Sequence, residues 1–206
     1  GEMVRDYTLA SGWLTPDSVR GLIALSGGRD GDIGRALAAR RDAEADSMLA
    51  AWLELFPERF YLELVRTGRA GEEDHVQAAL RLAARHRAPV VATNDVRFVR
   101  RADFESHEAR VCIHGGALLT DPRRPRRYSE EQYLRSPAEM AELFSDVPEA
   151  LANSVEIALR CSLDVTLGTA RLPEYPVPDG SNENQYLRDQ AAAGLKMRLA
   201  QLALTA

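Results

Sequence analysis

The sequence predicts an α/β fold built on a parallel sheet, and three observations carry that prediction. Short apolar runs alternate with stretches of helical periodicity, the β-α-β-α pattern of such folds. One run, Pro89-Val90-Val91-Ala92-Thr93, is almost continuously apolar, as a strand covered on both faces has to be. The composition, 45% apolar and 28% charged over 206 residues, is that of an ordinary globular domain and excludes collagen, long disorder and a disulfide scaffold.

Taken in order, Thr15-Pro16-Asp17 reads as a helix start, a capping hydroxyl followed by proline. Gly21-Leu22-Ile23-Ala24-Leu25-Ser26 reads as a buried strand ended by Gly27-Gly28. Helical segments follow over 32–56, with Met48, Leu49, Trp52 and Phe56 on one apolar face. Phe60-Tyr61-Leu62-Glu63-Leu64-Val65 is the second strand, rich in aromatic and branched residues. A helix over 72–87 carries Val76, Ala79, Leu80 and Ala83 on one face and leads into the third strand at 89–93. Beyond it, 104–114 reads as a helix and 121–128 as an extended basic loop, because its prolines oppose helix. Ser129, Ser136 and Asp146 precede three expected helices near 130–134, 137–144 and 148–161, with Pro137 and Pro148 in first-turn positions. Prolines and glycines over 168–182 give linker composition. A final helix over 184–204 places Leu187, Ala191, Leu195, Leu199 and Leu202 near one stripe.

The formal net charge is −5, with no global basic excess for gripping nucleic acid unaided. Lys196 is the only lysine among 26 basic residues, a bias that reads as arginine-rich coding, since the arginines are spread along the whole chain. No run approaches the ~20 apolar residues of a membrane span, and the first residues do not form a secretory signal. Cys112 and Cys161 stand far apart, the pattern of two reduced thiols in a cytoplasmic protein, and no cysteine–histidine spacing supports zinc.

Four groups of residues could carry chemistry. Gly27-Gly28-Arg29-Asp30-Gly31-Asp32-Ile33-Gly34 lies between a strand and a helix, but its glycine spacing fits neither a Walker loop nor a dinucleotide fingerprint, so it reads as a plain turn. Thr93-Asn94-Asp95-Val96-Arg97 lies at the C-terminal end of a parallel strand, where such folds keep their functional groups. Asp95 there is a candidate metal ligand, or one half of an ion pair with Arg97. His107-Glu108 and His114 read as structural, because histidines seven apart do not share one metal, and His75 and His86 read as surface positions. Arg123, Arg124, Arg126 and Arg127 could meet phosphates, or could equally pair with Glu130 and Glu131.

Long ordered runs resemble the bacterial replicative DNA polymerase III alpha-subunit family, of the proteobacterial type. They are Phe60-Tyr61-Leu62-Glu63-Leu64-Val65-Arg66-Thr67-Gly68-Arg69, the 89–98 segment ending Asp95-Val96-Arg97-Phe98, the 104–114 helix, the 121–128 loop, the run from Asp146 to Ala158, and Leu25-Ser26-Gly27-Gly28 upstream. The resemblance implies a partial PHP (polymerase and histidinol phosphatase) distorted (β/α) barrel over 1–167. A linker at 168–182 and the first helix of the polymerase core region at 183–206 would follow. It implies a fragment: the family's His-x-His pair would lie before Gly1 and its catalytic aspartates beyond Ala206.

Metal-binding members of the family read Asp-Val-His where this chain has Asp95-Val96-Arg97. Asp95 therefore matches a ligand, Arg97 stands at a lost ligand, and Thr67 stands at a second position where active members tend to carry histidine. A guanidinium cannot coordinate a cation. The implied role is a cytoplasmic structural scaffold that docks the proofreading exonuclease subunit and other replicase subunits. Its parent would meet DNA and add nucleotides with Mg2+. The alternative is a metal-dependent PHP phosphoesterase, proofreading or pyrophosphate-cleaving, and a third reading is an independent interaction module.

Overall fold

A computed structural model describes residues 14–164, 167–168, 175–178 and 182–205. The chain divides into two compact units between Ser162 and Leu163.

The first unit is organised on β2 (Phe60–Val65), which pairs in parallel with β1 (Ala24–Leu25) on one side and β3 (Val90–Thr93) on the other. The register runs Ala24 opposite Phe60 and Leu62 through Val65 opposite Val90 through Thr93. A central parallel strand is shielded on both faces, which explains why β2 is a nearly unbroken apolar run, with only Glu63 less than fully buried. The core gathers Phe60, Leu62 and Leu64 with side chains of α1 (Asp32–Ala38), α2 (Asp42–Leu55) and α3 (Glu72–His86). Trp52 of α2 stacks on Phe60 at 5.4 Å and donates its indole N–H to Asp32 Oδ2 at 2.8 Å, which fixes α2 to both α1 and the sheet.

The helix boundaries follow from local chemistry. α3 starts after Gly71 at φ 75° and carries Glu72, Glu73 and Asp74 in its first turn, where carboxylates complement the helix dipole. α4 (Phe104–Gly115) ends at Gly116 in the left-handed region. α5 (Pro137–Leu143) opens with a capping box between Ser136 and Glu139 and with proline in its first turn. Hydrogen bonds from the Tyr133 hydroxyl and from Ser136 hold the Glu139 carboxyl at a pKa of about 2. α6 (Pro148–Arg160) packs on β3, and Asn153 Nδ2 donates to Val90 O at 2.8 Å.

Several expectations are corrected. The stretch after Thr15 forms turns, closed by reciprocal hydrogen bonds between Thr15 and Ser18, and no helix. The first strand shrinks to two residues. No helix forms over 130–134: Tyr133 bridges Phe98, and Arg97 N donates to Gln132 O at 2.8 Å, so tertiary pairing takes the backbone that a helix would have used. On α3 it is Leu82, and only partly Leu80, that enters the core. Cys112 is buried and Cys161 exposed, and both are free.

In the second unit, α7 (Glu183–Thr205) exposes Leu187, Leu195, Leu199 and Leu202. Most of the expected linker at 168–182 lies outside the described residues.

Leu64 is fully buried on the central strand, whereas Leu134 is 61% exposed. Leu64→Ala should cost about 2–5 kcal/mol in urea unfolding, and Leu134→Ala less than about 0.5 kcal/mol.

Candidate functional site

Strands β2 and β3 point their C-terminal ends the same way. The segments that leave them, Arg66 to Gly71 and Asn94 to Arg97, therefore emerge side by side. The 129–135 segment is laid across both. Asn94 Nδ2 donates to Glu131 O and Tyr133 O at 2.9 and 2.8 Å, and Ser129 Oγ donates to Thr67 O at 2.5 Å. Gln132, fully buried, donates from Nε2 to Asp95 Oδ2 at 2.8 Å and to Asp95 O at 3.2 Å.

The Asp95 carboxylate sits among cations. Arg97 Nη2 lies 2.7 Å from Oδ1, and Arg69 Nη2 lies 3.8 Å from Oδ2. Arg69 also faces Asp30 Oδ2 at 3.7 Å and donates from Nε to Glu72 Oε1 at 2.7 Å. Glu72, 4% exposed, further accepts from the Thr67 amide at 2.6 Å, the Thr67 hydroxyl at 2.7 Å and the Arg69 amide at 3.2 Å. Burial works against the Glu72 charge, but the hydrogen bonds from Thr67 and Arg69 outweigh it and hold the carboxyl below its ordinary range. The result is three acids, Asp30, Glu72 and Asp95, tied together by two guanidiniums.

Beside this cluster lies a cleft of about 560 Å³, lined by Arg66, Arg69, Glu72, Glu73, Glu131 and Arg135 among others. Its cations are already matched. Arg66 holds Asp146 at 2.6 Å and Glu73 at 3.0 Å, contacts that raise its pKa, with Asp146 the larger cause. Arg135 holds Glu131.

A divalent cation does not fit this arrangement. Arg97 occupies one Asp95 oxygen, and Gln132 and Arg69 address the other. The Thr67 hydroxyl is fully buried and committed to Glu72 and Arg69. Among the described residues, no group of three or more histidine, cysteine, aspartate or glutamate side chains could hold a metal ion.

The PHP domain family matches residues 5–67. DNA polymerase III subunit alpha of Pseudomonas aeruginosa is 55% identical over 199 residues, covering 97% of this chain and 17% of the relative. The same subunit of Escherichia coli K12 is 55% identical over 180 residues, covering 87% of this chain and 15% of that protein. That of Vibrio cholerae is 47% identical over 199 residues, covering 97% of this chain and 17% of that protein. The chain belongs to the DNA polymerase III alpha-subunit family. It spans about a sixth of the length of these relatives. The parallel sheet and its surrounding helices are part of the PHP-type α/β barrel of the alpha subunit.

The remaining candidates are placed as follows within this alpha-subunit segment. The Gly27 to Gly34 stretch is a close-packed turn: an added Cβ at Gly34 would come 2.1 Å from Gly28 O. Asp30 faces Arg69, and Asp32 accepts from Trp52. His107 is buried, its ring edge-on to Tyr128 at 4.7 Å, while His114 is exposed. Burial, aided by the nearby Arg110 charge, lowers the pKa of His107. The Arg97 guanidinium lies over the Tyr128 ring, 5.4 Å from its centroid.

In the basic loop, Arg124 pairs with buried Glu108 and Arg123 with Asp121 at 3.4 Å. Glu131, one of the two expected partners, is taken by Arg101 and Arg135 instead.

His75 corrects the surface expectation: it is 6% exposed and both ring nitrogens lack hydrogen-bond partners. Burial first, and then Arg29, lowers its pKa. Positions 72, 75, 76, 79 and 83 form one helical stripe, so the spacing alone places Glu72 and His75 on the apolar face. His86 is half-buried, its Nε2 2.7 Å from Asp46 Oδ1, and that contact is the main cause holding the Asp46 carboxyl low. Reading for ligands in sequence missed Glu72, Arg69 and Gln132, because a buried acid, its arginine and a glutamine spell no metal or nucleophile motif.

Two acid limbs should appear in the thermal midpoint of the chain. His75 titrates below 6.5 when folded, so the unfolded state takes up its proton first and stability falls as pH drops below about 6.5. Glu72 titrates below 4.5 when folded, so its contribution is full above that pH and is lost as pH falls further. His75→Gln should make the first limb shallower, leaving the part that His107 contributes, and spare the second. Glu72→Gln should make the second shallower, leaving the part that Asp46 and Glu139 contribute, and already cost roughly 3 kcal/mol at pH 7, since it breaks a buried charge pair.

Proposed function

We propose that this chain is the PHP scaffold segment of a replicative DNA polymerase alpha subunit. The parent would carry out template-directed nucleotide addition, with the reaction's two magnesium ions bound outside the Asp95 site. The observation that carries the reading is the occupation of the Asp95 carboxylate by Arg97 and Arg69, where a PHP hydrolase would need an open cation site. In this segment the cluster's work is mechanical: it ties the ends of β2 and β3 to α3 and to the 129–135 segment. The intended partners are the proofreading exonuclease subunit, other replicase subunits and, through the parent, DNA. The setting is the cytoplasm, and no described helix is long and apolar enough to cross a membrane.

The test uses the full-length alpha subunit with Asp95→Asn. Removing the charge strands Arg97, so the PHP region should lose about 1–3 kcal/mol of stability and become more sensitive to limited proteolysis. Nucleotide addition per folded molecule should stay within about twofold of wild type. A metal-dependent hydrolysis of 3′ ends or of pyrophosphate, present in the wild type and abolished by Asp95→Asn, would overturn the scaffold reading in favour of a phosphoesterase.

A further inference from the structure

We propose that the 121–128 loop is a sequence-independent contact surface for the phosphate backbone of duplex DNA, formed by Arg123 and Arg126. The proposal rests on the alpha-subunit reading above and assigns a part of this chain to the nucleic acid.

Arg124 is the loop's anchor: the guanidinium side chain is 8% exposed, pairs with buried Glu108 on α4, and donates from Nε to Leu119 O at 3.2 Å. Tyr128 is the second anchor, half-buried between the edge of His107 and the Arg97 guanidinium. Ser129 then fastens the loop's end to Thr67 O. Pro122, ahead of the first anchor, and Pro125, between the first and second, fix φ and reduce the freedom that binding would otherwise have to remove. Arg123 N donates to Asp121 Oδ1 at 2.9 Å and closes the first turn.

What this frame presents is positive. The side chain of Arg123 is 89% exposed, and its single contact with Asp121, at 3.4 Å, is of the solvent-screened kind that contributes little. Arg126 is exposed. Of the two acids that follow the loop in sequence, Glu131 does not neutralise it, because it is held by Arg101 and Arg135. A stiff positive ridge on a chain of net charge −5 marks an anionic partner.

The same geometry selects the backbone over the bases. Single-strand binders add aromatic platforms on which bases stack. Here Tyr128, the aromatic residue of the loop, is already packed by His107 and Arg97. Two arginines about three residues apart, ~10 Å at most along an extended chain, suit successive phosphates of a regular duplex and carry no base-reading group.

The experiment uses the full-length alpha subunit and a fluorescein-labelled primed DNA with a long duplex stem, titrated from 50 to 200 mM salt. In Arg123→Gln with Arg126→Gln, the log-affinity against log-salt slope should become shallower by about 1.8, the loss of two phosphate contacts. Binding should weaken several-fold at the low-salt end, and nucleotide addition at saturating DNA should be unchanged. A matched double variant at α3, Arg81→Gln on the helix with Arg87→Gln at its C-terminal cap, should keep the wild-type slope. An unchanged slope in the loop variant, an equal change in the α3 control, or a change seen with single-stranded but not duplex DNA would each overturn the proposal. A wild-type subunit that fails to extend the primer would instead remove the polymerase reading on which the proposal rests, so the two failures are distinguishable.

Discussion

The carboxylate of Glu72 accepts hydrogen bonds from the Thr67 amide and hydroxyl and from the amide and guanidinium of Arg69, and it is nearly fully buried while doing so. A charge in that position is tolerable only with its donors in place. Everything at the open end of the sheet follows from that requirement. The turn leaving β2 is bent to bring Thr67 and Arg69 onto the first turn of α3. Arg69, so placed, extends its guanidinium toward Asp30 and Asp95. Asp95 in turn orients Gln132, and through it the segment that the sequence pattern had assigned to a helix. Four stretches of chain distant in sequence are thereby tied by one set of charges.

A tie made by arginine differs in character from one made by a metal ion. A bound cation contributes in proportion to its free concentration and affinity, and it leaves open positions through which water or substrate can be activated. A tethered guanidinium is present in every molecule, stays charged at any working pH, and directs planar donors at the carboxylate oxygens. It keeps the geometry and gives up the Lewis acid. The cleft beside the site follows the same logic, since Arg66 and Arg135 each hold carboxylates.

Much of this architecture was readable in the sequence. β2, β3 and the helices that became α3, α4 and α6 declared themselves by periodicity and caps, because their faces are set by local spacing. The departures share a cause. Residues 130–134 have the polarity of an exposed helix, but Asn94 and Gln132 recruit their backbone and side chains into contacts some 37 residues away. Arg124 has acidic neighbours close in sequence and finds Glu108 on another element. The Asp95–Arg97 pair was visible because it is two residues apart. The Arg69–Asp95 contact depends on two strands being parallel neighbours, which no local window contains, whereas the Glu72 contacts lie within five residues but spell no familiar motif.

Asp95 holds a φ of 41°, in the region that glycine, asparagine and aspartate occupy most readily. The list of side chains suited to this turn is therefore short before any charge is considered. An acid that answers a cation and an acid that answers an arginine would satisfy the backbone equally well. Its presence reports the shape of the turn, and the diagnostic letter lies two places on: histidine at position 97 would leave a coordination sphere open, and arginine closes it from within. In this chain Arg97, with its arginine ally at 69, makes the turn a mechanical tie.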